Sequence, residues 1–160
     1  MQLNVKKWVK RHEKEGDNMF SGEFDHSIDI KGRVTIPSKF REELGDTCVV
    51  TRGFDGCLEI CSPSRWEEHV ELLLSSTKQA ENFRRLKRQI FSKSITCDYD
   101  KQGRILISQE LRTLAKLTDK VMVVGIGDHI ELWDLESWTD YNEMDNAEFN
   151  VLGEEVFNGI

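Results

Sequence analysis

The sequence predicts an α+β protein, mainly β, in which two tandem copies of one short unit share a single core. The first observation is a phrase that occurs twice, as "DIKGRVTIP" from Asp29 and as "DKQGRILIS" from Asp100, 71 residues later. The second is that the similarity resumes at an offset of 72, where "GFDGCLEICSPSRW" matches "GIGDHIELWDLESW". Because both stretches match in the same order, we interpret them as an internal duplication with units of about 40 residues.

Each unit is predicted to contain a strand, a tight turn, a second strand, a short helix and a hairpin. Val34 and Ile36 alternate with polar residues, which is the period-2 pattern of a half-buried strand. Gly32 suits a hairpin turn that needs one residue at positive φ. "SKFREEL" predicts a short helix that ends at Gly45, and "CVVTRGFDGCLEI" predicts two strands around a Gly/Asp turn.

A single unit of this size would expose its sheet edges and bury little apolar surface. Pairing the strands of one unit with those of the other removes both problems. The duplication therefore predicts an intramolecular barrel with pseudo-two-fold symmetry, to whose core both copies contribute.

A helical connection is predicted between the two units. Pro63 suits a helix start, and two apolar stripes follow at helical spacing, separated by "SSTKQ". We expect these stripes to pack on the sheet or on neighbouring helices. Their members are Trp66, Val70, Leu73 and Leu74 in the first stripe, and Phe83, Leu86 and Ile90 in the second.

The chain is thus divided into five segments. Residues 1–18 are a short basic extension, interpreted as an upstream translation start, an added expression sequence or a flexible arm. The remaining segments are the first repeat at 19–66, the helical connection at 67–93, the second repeat at 94–138 and an acidic tail at 139–160.

The net charge of −7 is unevenly distributed. Residues 140–160 contain six acids and no Lys or Arg, so the rest of the chain carries −1. In residues 1–139, basic residues cluster in two stretches that contain no acid. Such clusters matter because a phosphate backbone is attracted by the local electrostatic potential and not by the net charge of the whole chain. The clusters are Lys31, Arg33, Lys39 and Arg41, and Arg84, Arg85, Lys87 and Arg88.

Several classes of protein are disfavoured. Cys57 and Cys61 have the wrong spacing for a zinc site, and no second Cys or His pair completes one, so no metal is expected. The four histidines lie in separate segments, and Gly125-x-Gly127 lacks the third glycine of a dinucleotide loop. We therefore expect no enzyme, no cofactor and no small-molecule substrate. Apolar runs are far shorter than the roughly 18 residues of a membrane span, and no secretory signal is seen, so we expect a cytoplasmic protein without a membrane partner.

Three stretches resemble the MraZ family: "MFSGEFDHSIDIKGRVTIPSKFREEL", "DKQGRILISQELR" and "VGIGDHIELWDLESW". The resemblance extends from Met19 to about Tyr141. It implies two tandem half-domains of the AbrB/SpoVT type in a swapped-hairpin (double-split) β-barrel. It further implies a ring-like homo-oligomer that regulates its own division and cell-wall gene cluster on the nucleoid, through short direct repeats in double-stranded DNA. Where the first repeat has Pro37 the second has Ser108, which could cap the following helix, and the Gly-Ala pair frequent before the second motif is absent.

The family's Asp-x-x-x-Arg signature falls on Asp29 and Arg33, and again on Asp100 and Arg104. Four residues across a tight turn bring the two side chains within pairing distance. We interpret the aspartate as orienting an arginine that contacts guanine or phosphate. The alternative is an ion pair that stabilises the turn and binds nothing, worth about 0–1 kcal/mol.

Further bases are predicted to contact DNA beside these arginines. Together with Arg33, the bases Lys31, Lys39 and Arg41 give residues 30–41 a net charge of +4. The equivalent residues 101–112, which include Lys101 and Arg104, have a net charge of +2. The first repeat is therefore expected to contact phosphate more strongly. The cluster at 84–88 is interpreted as part of the DNA surface, a subunit contact or a solvated helix face.

Two other binding functions are less favoured by the sequence. An antitoxin-like protein-interaction module can use the same barrel, but such proteins usually carry one half-barrel and a long binding tail. RNA binding is disfavoured because no aromatic residues interleave with the bases.

Overall fold

The structure, a computed structural model, describes residues 19–77 and 80–159. The predicted extension at 1–18 lies outside these residues. They form two compact units, Met19–Leu135 and 136–159. The strands described are β1 (Glu23–Ser27), β2 (Arg33–Thr35), β3 (Thr47–Arg52), β4 (Leu58–Cys61), β5 (Ile95–Asp98), β6 (Arg104–Leu106), β7 (Lys120–Gly125) and β8 (Ile130–Asp134).

Helices are described in both units. The first unit contains α1 (Ser38–Leu44), α2 (Pro63–Ser75), α3 (Glu81–Ser92) and α4 (Gln109–Leu114). The second contains α5 (Leu135–Asn142), which begins on the last residue of the first unit, and α6 (Asn146–Asn158). No helix in the described part of the chain is long and apolar enough to cross a membrane.

Every strand of the first repeat pairs with a strand of the second. Six strands form an antiparallel sheet in the order β1-β7-β8-β4-β3-β5, and β2 and β6 form a separate two-stranded ribbon. If each strand of the first repeat is exchanged with its equivalent in the second (β1 with β5, β2 with β6, β3 with β7 and β4 with β8), the larger sheet reads β5-β3-β4-β8-β7-β1. This is the observed order in reverse, as a pseudo-two-fold axis requires. The expectation that the two copies pair their strands is confirmed.

The predicted turn does not join two strands of one sheet. Ile28 and Val34 form a single antiparallel bridge, beyond which β1 pairs with β7 and β2 pairs with β6. Among residues 19–77 and 80–159, β1 and β5 end the larger sheet, and no closed barrel is formed. The observed fold is α+β with mainly antiparallel sheet. A strand's partner depends on competition between distant segments, which the local turn signal does not contain.

Both copies supply the core. Val34, Ile36, Ile105 and Ile107 of the ribbon are at most 1% exposed, in agreement with the predicted alternation. Phe40 of α1 lies beneath them, with the ring of Phe20 5.6 Å away and that of Phe24 5.2 Å away, both edge-to-face. Full burial of each such side chain contributes roughly 1.5–3 kcal/mol, so the ribbon is anchored firmly to the rest of the unit.

The helix boundaries agree with the sequence signals. α1 ends at Leu44, immediately before Gly45. The Ser62 hydroxyl accepts a hydrogen bond from the backbone N–H of Arg65 at the start of α2, where Pro63 follows the cap. The Ser108 hydroxyl accepts the Leu111 N–H at 3.3 Å, so the predicted cap of α4 is confirmed.

The connecting helices pack only in part as expected, because Leu74 and Leu86 of the predicted stripes are 61% and 39% exposed. Trp66 of α2 meets Phe91 of α3 edge-to-face with ring centroids 6.1 Å apart. α3 is tied to β3 by two hydrogen bonds, from the Thr51 hydroxyl to the Ile90 carbonyl at 3.2 Å and from Arg52 to the Gln89 side chain at 2.7 Å. The helical pair therefore belongs to the same compact unit as the sheets.

Candidate nucleic-acid interface

The β2–β6 ribbon presents a polar outer face. Its strands pair Arg33 with Leu106 and Thr35 with Arg104. The ladder extends one step at each end, because the Ile36 N–H donates to the Gly103 carbonyl at 3.0 Å and the Ile107 N–H to the Gly32 carbonyl at 2.8 Å. Alternate residues point inward, so four side chains share the outer face: Arg33, Thr35, Arg104 and Leu106.

A rigid turn holds Arg33 at one end of this ribbon. Asp29 Oδ1 accepts the backbone N–H groups of Lys31 at 3.0 Å and Arg33 at 2.8 Å, and Asp29 Oδ2 accepts Arg33 Nε at 2.6 Å. The backbone hydrogen bond from Arg33 outweighs partial burial and, with the Arg33 side chain, lowers the pKa of Asp29. The carboxylate is thus ionised at neutral pH and fixes the guanidinium through one edge.

The second repeat has the same geometry. Asp100 Oδ1 accepts the N–H groups of Gln102 and Arg104, each at 2.9 Å, and Asp100 Oδ2 accepts Arg104 Nε at 2.8 Å. The pKa of Asp100 is lowered, with the backbone hydrogen bond from Arg104 as the largest cause. The predicted Asp–Arg pairing is therefore confirmed in both repeats.

The two signatures meet on the ribbon. Arg104 Nη1 lies 3.8 Å from Asp29 Oδ2, so the second arginine reaches the first aspartate. In the described parts of the chain, the terminal nitrogens of Arg33 have no hydrogen-bond or ion-pair partner. An arginine oriented through Nε that keeps its terminal N–H groups can form two parallel hydrogen bonds to an external acceptor.

The lysines and Arg41 occupy different positions. Lys31 and Lys101 are exposed in the two turns, and Lys39 is exposed on α1. Arg41 is half-buried against the opposite turn, since a Cβ placed on Gly103 would lie 1.2 Å from Arg41 Nη1. Arg41 therefore supports the turn of the second repeat, and its contact with DNA stays a prediction.

The first turn is supported reciprocally. A Cβ on Gly32 would lie 2.8 Å from Arg112 Nε and 2.6 Å from the Ile107 carbonyl oxygen. The helix of each repeat thus holds the signature turn of the other. Charges counted by repeat consequently do not give the charge at each end of the ribbon, because Arg41 lies at the second turn and Arg112 at the first. In the sequence, Arg41 and Arg112 occupy equivalent positions of the duplication, 71 residues apart, and this equivalence was the available signal.

Two apolar side chains on this surface were not singled out from the sequence. Ile30, at the tip of the first turn, is 96% exposed, and Leu106, opposite Arg33, is 57% exposed. The equivalent of Ile30 in the second turn is Lys101. The two ends of the ribbon therefore differ chemically, with apolar groups concentrated around Arg33.

A separate, partly buried charge cluster lies where β4 pairs with β8. Glu59 and Glu131 are direct partners in the ladder, and His129 Nε2 lies 3.7 Å from Glu59 and 3.9 Å from Glu131. His129 Nδ1 is 2.6 Å from Asp128 Oδ1, and Asp128 Oδ2 is 2.9 Å from Arg65 of α2. This cluster, which the sequence did not indicate, joins α2 to both strands.

The histidine in this cluster is protonated at neutral pH. Burial acts to lower the pKa of His129, but the hydrogen bond to Asp128 and the nearby carboxylates of Glu131 and Glu59 outweigh it and raise the pKa to about 9. For Asp128 and Glu131, burial acts to raise the pKa, and the interaction with His129, a hydrogen bond in the case of Asp128, is the largest opposing cause of a net lowering. The imidazolium thus offsets the mutual repulsion of the carboxylates, which is a structural role.

The cysteines do not provide a nucleophile. All four are free and buried. Burial is the main cause that raises the pKa of Cys48 to about 12, and it raises the pKa of Cys57 further, with Glu131 adding to the effect. These thiols stay protonated at neutral pH, whereas thiol catalysis needs the thiolate.

Comparisons with known proteins agree on one family. A family model described as MraZ protein, antitoxin-like, matches residues 19–89 and 90–155. Three similar relatives each align over 138 residues, or 86% of this chain, and each is named transcriptional regulator MraZ. They come from Mycoplasmoides gallisepticum (40% identical, 97% of that protein covered), Desulforamulus reducens (42%, 97%) and Pediococcus pentosaceus (41%, 96%).

Proposed function

Because the chain belongs to the MraZ family, we propose that it is a sequence-specific DNA-binding transcriptional regulator. The observation that carries this proposal is the juxtaposition of two oriented arginines, Arg33 and Arg104, on the outer face of one two-stranded ribbon. The names of the relatives support the regulatory role. The chain is not proposed to be an enzyme.

The ribbon supports a defined mode of binding. A two-stranded β-ribbon fits the major groove of B-DNA, where arginine can donate to O6 and N7 of guanine. Asp29 and Asp100 hold the guanidinium groups in place before contact, which reduces the conformational entropy lost on binding. The exposed Lys31, Lys39 and Lys101 are proposed to contact phosphates.

The family resemblance supports a finer proposal about the assembly. The two sheets correspond to a swapped-hairpin barrel built from repeats at 19–66 and 94–138, joined by 67–93. Copies form a ring that binds short direct repeats upstream of the protein's own division and cell-wall genes, in the cytoplasm and on the nucleoid. A ring presents several ribbons at once, so modest affinities combine through effective concentration.

The proposal is tested by fluorescence anisotropy with DNA from upstream of the protein's own gene and a scrambled duplex, at two salt concentrations. Arg33→Ala and Arg104→Ala are each expected to weaken binding to the upstream DNA by about tenfold or more, since one bidentate contact to a base is worth about 1–3 kcal/mol. Lys120→Ala, which removes one exposed charge from β7, is the matched control and is expected to have a small effect. Equal affinity for both duplexes would contradict sequence-specific recognition.

A protein-binding role is the second candidate, because the family model is described as antitoxin-like. In that case the Asp–Arg pairs would only stabilise the turns of the ribbon and would not contact DNA. A folded wild-type protein that binds neither duplex would favour this role over the first.

A further inference from the structure

The second unit ends in a helix with an exposed apolar stripe. In α6, Phe149 is 68% exposed, Val156 55% and Leu152 43%. Their spacing of three and four residues places them on one side of the helix. The helix is well defined at its start, where Asp145 and Glu148 form a capping box. Exposed stripes of this size on a folded helix mark contact surfaces rather than ordinary solvent-facing residues.

The same helix is strongly acidic. Glu148, Glu154 and Glu155 lie on α6, and residues 140–160 contain no Lys or Arg. Glu148 and Glu155 flank the apolar stripe, whereas Glu154 lies on the other side of α6. A partner surface for α6 must therefore combine apolar groups with positive charge, because a neutral apolar surface would leave the two flanking carboxylates without compensation.

The first unit carries a surface of this kind on α3. A cavity of about 340 Å³ lies between α3 and the turn that joins β3 to β4, and Phe54, Leu86 and Ile90 contribute to its apolar lining. Phe54 is 63% exposed and Leu86 39% exposed at its mouth. The carboxylate of Asp55 also lines the cavity, as does Arg52, whose guanidinium hydrogen-bonds Gln89.

Positive charges adjoin this cavity on the same helix. Arg85 and Arg88 are exposed and Lys87 is half-buried. Within residues 19–77 and 80–159, none of these three cations has an ion-pair partner. Between Asn82 and Ser92, α3 contains no acid. Arg85 and Lys87 flank the cavity-lining side of α3, whereas Arg88 lies on its other side. The α3 surface, defined here as the cavity with Arg85 and Lys87, thus complements α6 in both charge and polarity.

We propose that α6 of one copy docks on the α3 surface of a second copy, placing an aromatic side chain of its stripe in the cavity. The inference rests on the self-association included in the proposed function and names the surfaces that would produce it. The two surfaces differ, so each copy supplies one helix and one receptor, and such head-to-tail contacts close into rings when the geometry allows. One chain supplies both halves, which is why a second copy is the occupant.

The test measures the mass of the full chain in solution without DNA, by analytical ultracentrifugation over a range of protein and salt concentrations. The variants R85E and E155R are each expected to weaken self-association by about fivefold, since an attractive charge pair becomes repulsive. Glu148 is left unchanged because it closes the capping box. The double variant R85E/E155R, which exchanges the charges, is expected to recover assembly to within about twofold of wild type.

An apolar pair of variants provides the matched control. Phe149→Ser is expected to disrupt assembly, whereas Val151→Ser is expected to leave it unchanged, because Val151 is 53% exposed but lies on the opposite side of α6. A wild-type protein that is monomeric at all concentrations would overturn the inference, as would assembly that survives either charge reversal or an exchange that fails to restore it. DNA binding is measured separately, so loss of this interface and loss of the proposed function are distinguishable.

Discussion

Replacing Gly32 by alanine tests whether the signature turn is held by the helix of the other repeat. Gly32 has φ of 92°, and a Cβ there would lie 2.6 Å from the Ile107 carbonyl oxygen and 2.8 Å from Arg112 Nε. Arg112 is a flexible side chain and can move. The Ile107 carbonyl cannot move freely, because the neighbouring Ile107 N–H is bonded to the Gly32 carbonyl.

The expected cost has two parts. A residue with a Cβ at positive φ loses about 1–2 kcal/mol. Forcing an extra methyl group into a filled site costs a further 1–3 kcal/mol or so. Gly32→Ala is therefore expected to lower the free energy of unfolding by about 2–5 kcal/mol.

Gly56→Ala isolates the first part. Gly56 has φ of 93°, almost the same as Gly32, but no atom lies within 4 Å of a Cβ placed there. We expect this control to cost only about 1–2 kcal/mol. The measurement is urea-induced unfolding of both variants and wild type at one protein concentration, because self-association would otherwise shift the apparent stability. Equal destabilisation by the two substitutions would refute the packing argument and leave backbone strain as the whole effect.

Three further predictions concern charge and exposure. The pKa values of Asp29 and Asp100 are lowered from 3.8, so the contribution of these carboxylates to stability is present above pH 3.8 and is lost as the pH falls through their folded-state pKa values. Unfolding measured between pH 2 and 5 should therefore show that the free energy of unfolding depends less on pH in the double variant Asp29→Asn/Asp100→Asn than in wild type. The pKa of His129 is raised from 6.5 to about 9, so its contribution to stability, about 3 kcal/mol, is complete below pH 6.5 and is lost as the pH rises through 9. A His129→Gln variant whose stability falls as steeply as that of wild type over this range would contradict the cluster's role. Ile30→Ser should leave the free energy of unfolding within about 0.5 kcal/mol of wild type, since Ile30 is 96% exposed. The same substitution should weaken binding to the upstream DNA about fourfold if Ile30 buries one methyl group against a base. Anisotropy titrations that do not differ from wild type would exclude that contact.

Features encoded by short-range spacing could be predicted from the sequence. The Asp29–Arg33 pair, the Ser108 cap, the end of α1 before Gly45 and the buried alternation of Val34 and Ile36 all depend on residues within about four positions of one another. Local hydrogen bonds and side-chain alternation follow directly from backbone geometry at that range. The internal duplication could also be predicted, because it is a similarity between two stretches of the amino-acid sequence and needs no structure to be seen.

Only the tertiary structure decided which strands pair and which side chains meet across the pseudo-two-fold axis. The turn at Gly32 indicated a hairpin, yet β1 and β2 enter different sheets, and the described residues form a six-stranded sheet and a two-stranded ribbon. The support of each turn by Arg41 or Arg112, and the His129 cluster between β4 and β8, likewise join residues distant in sequence. Strand pairing is chosen by the burial and hydrogen bonding of the whole chain. Periodicity therefore predicted the elements and the paired signature, while long-range packing placed both signatures on one face.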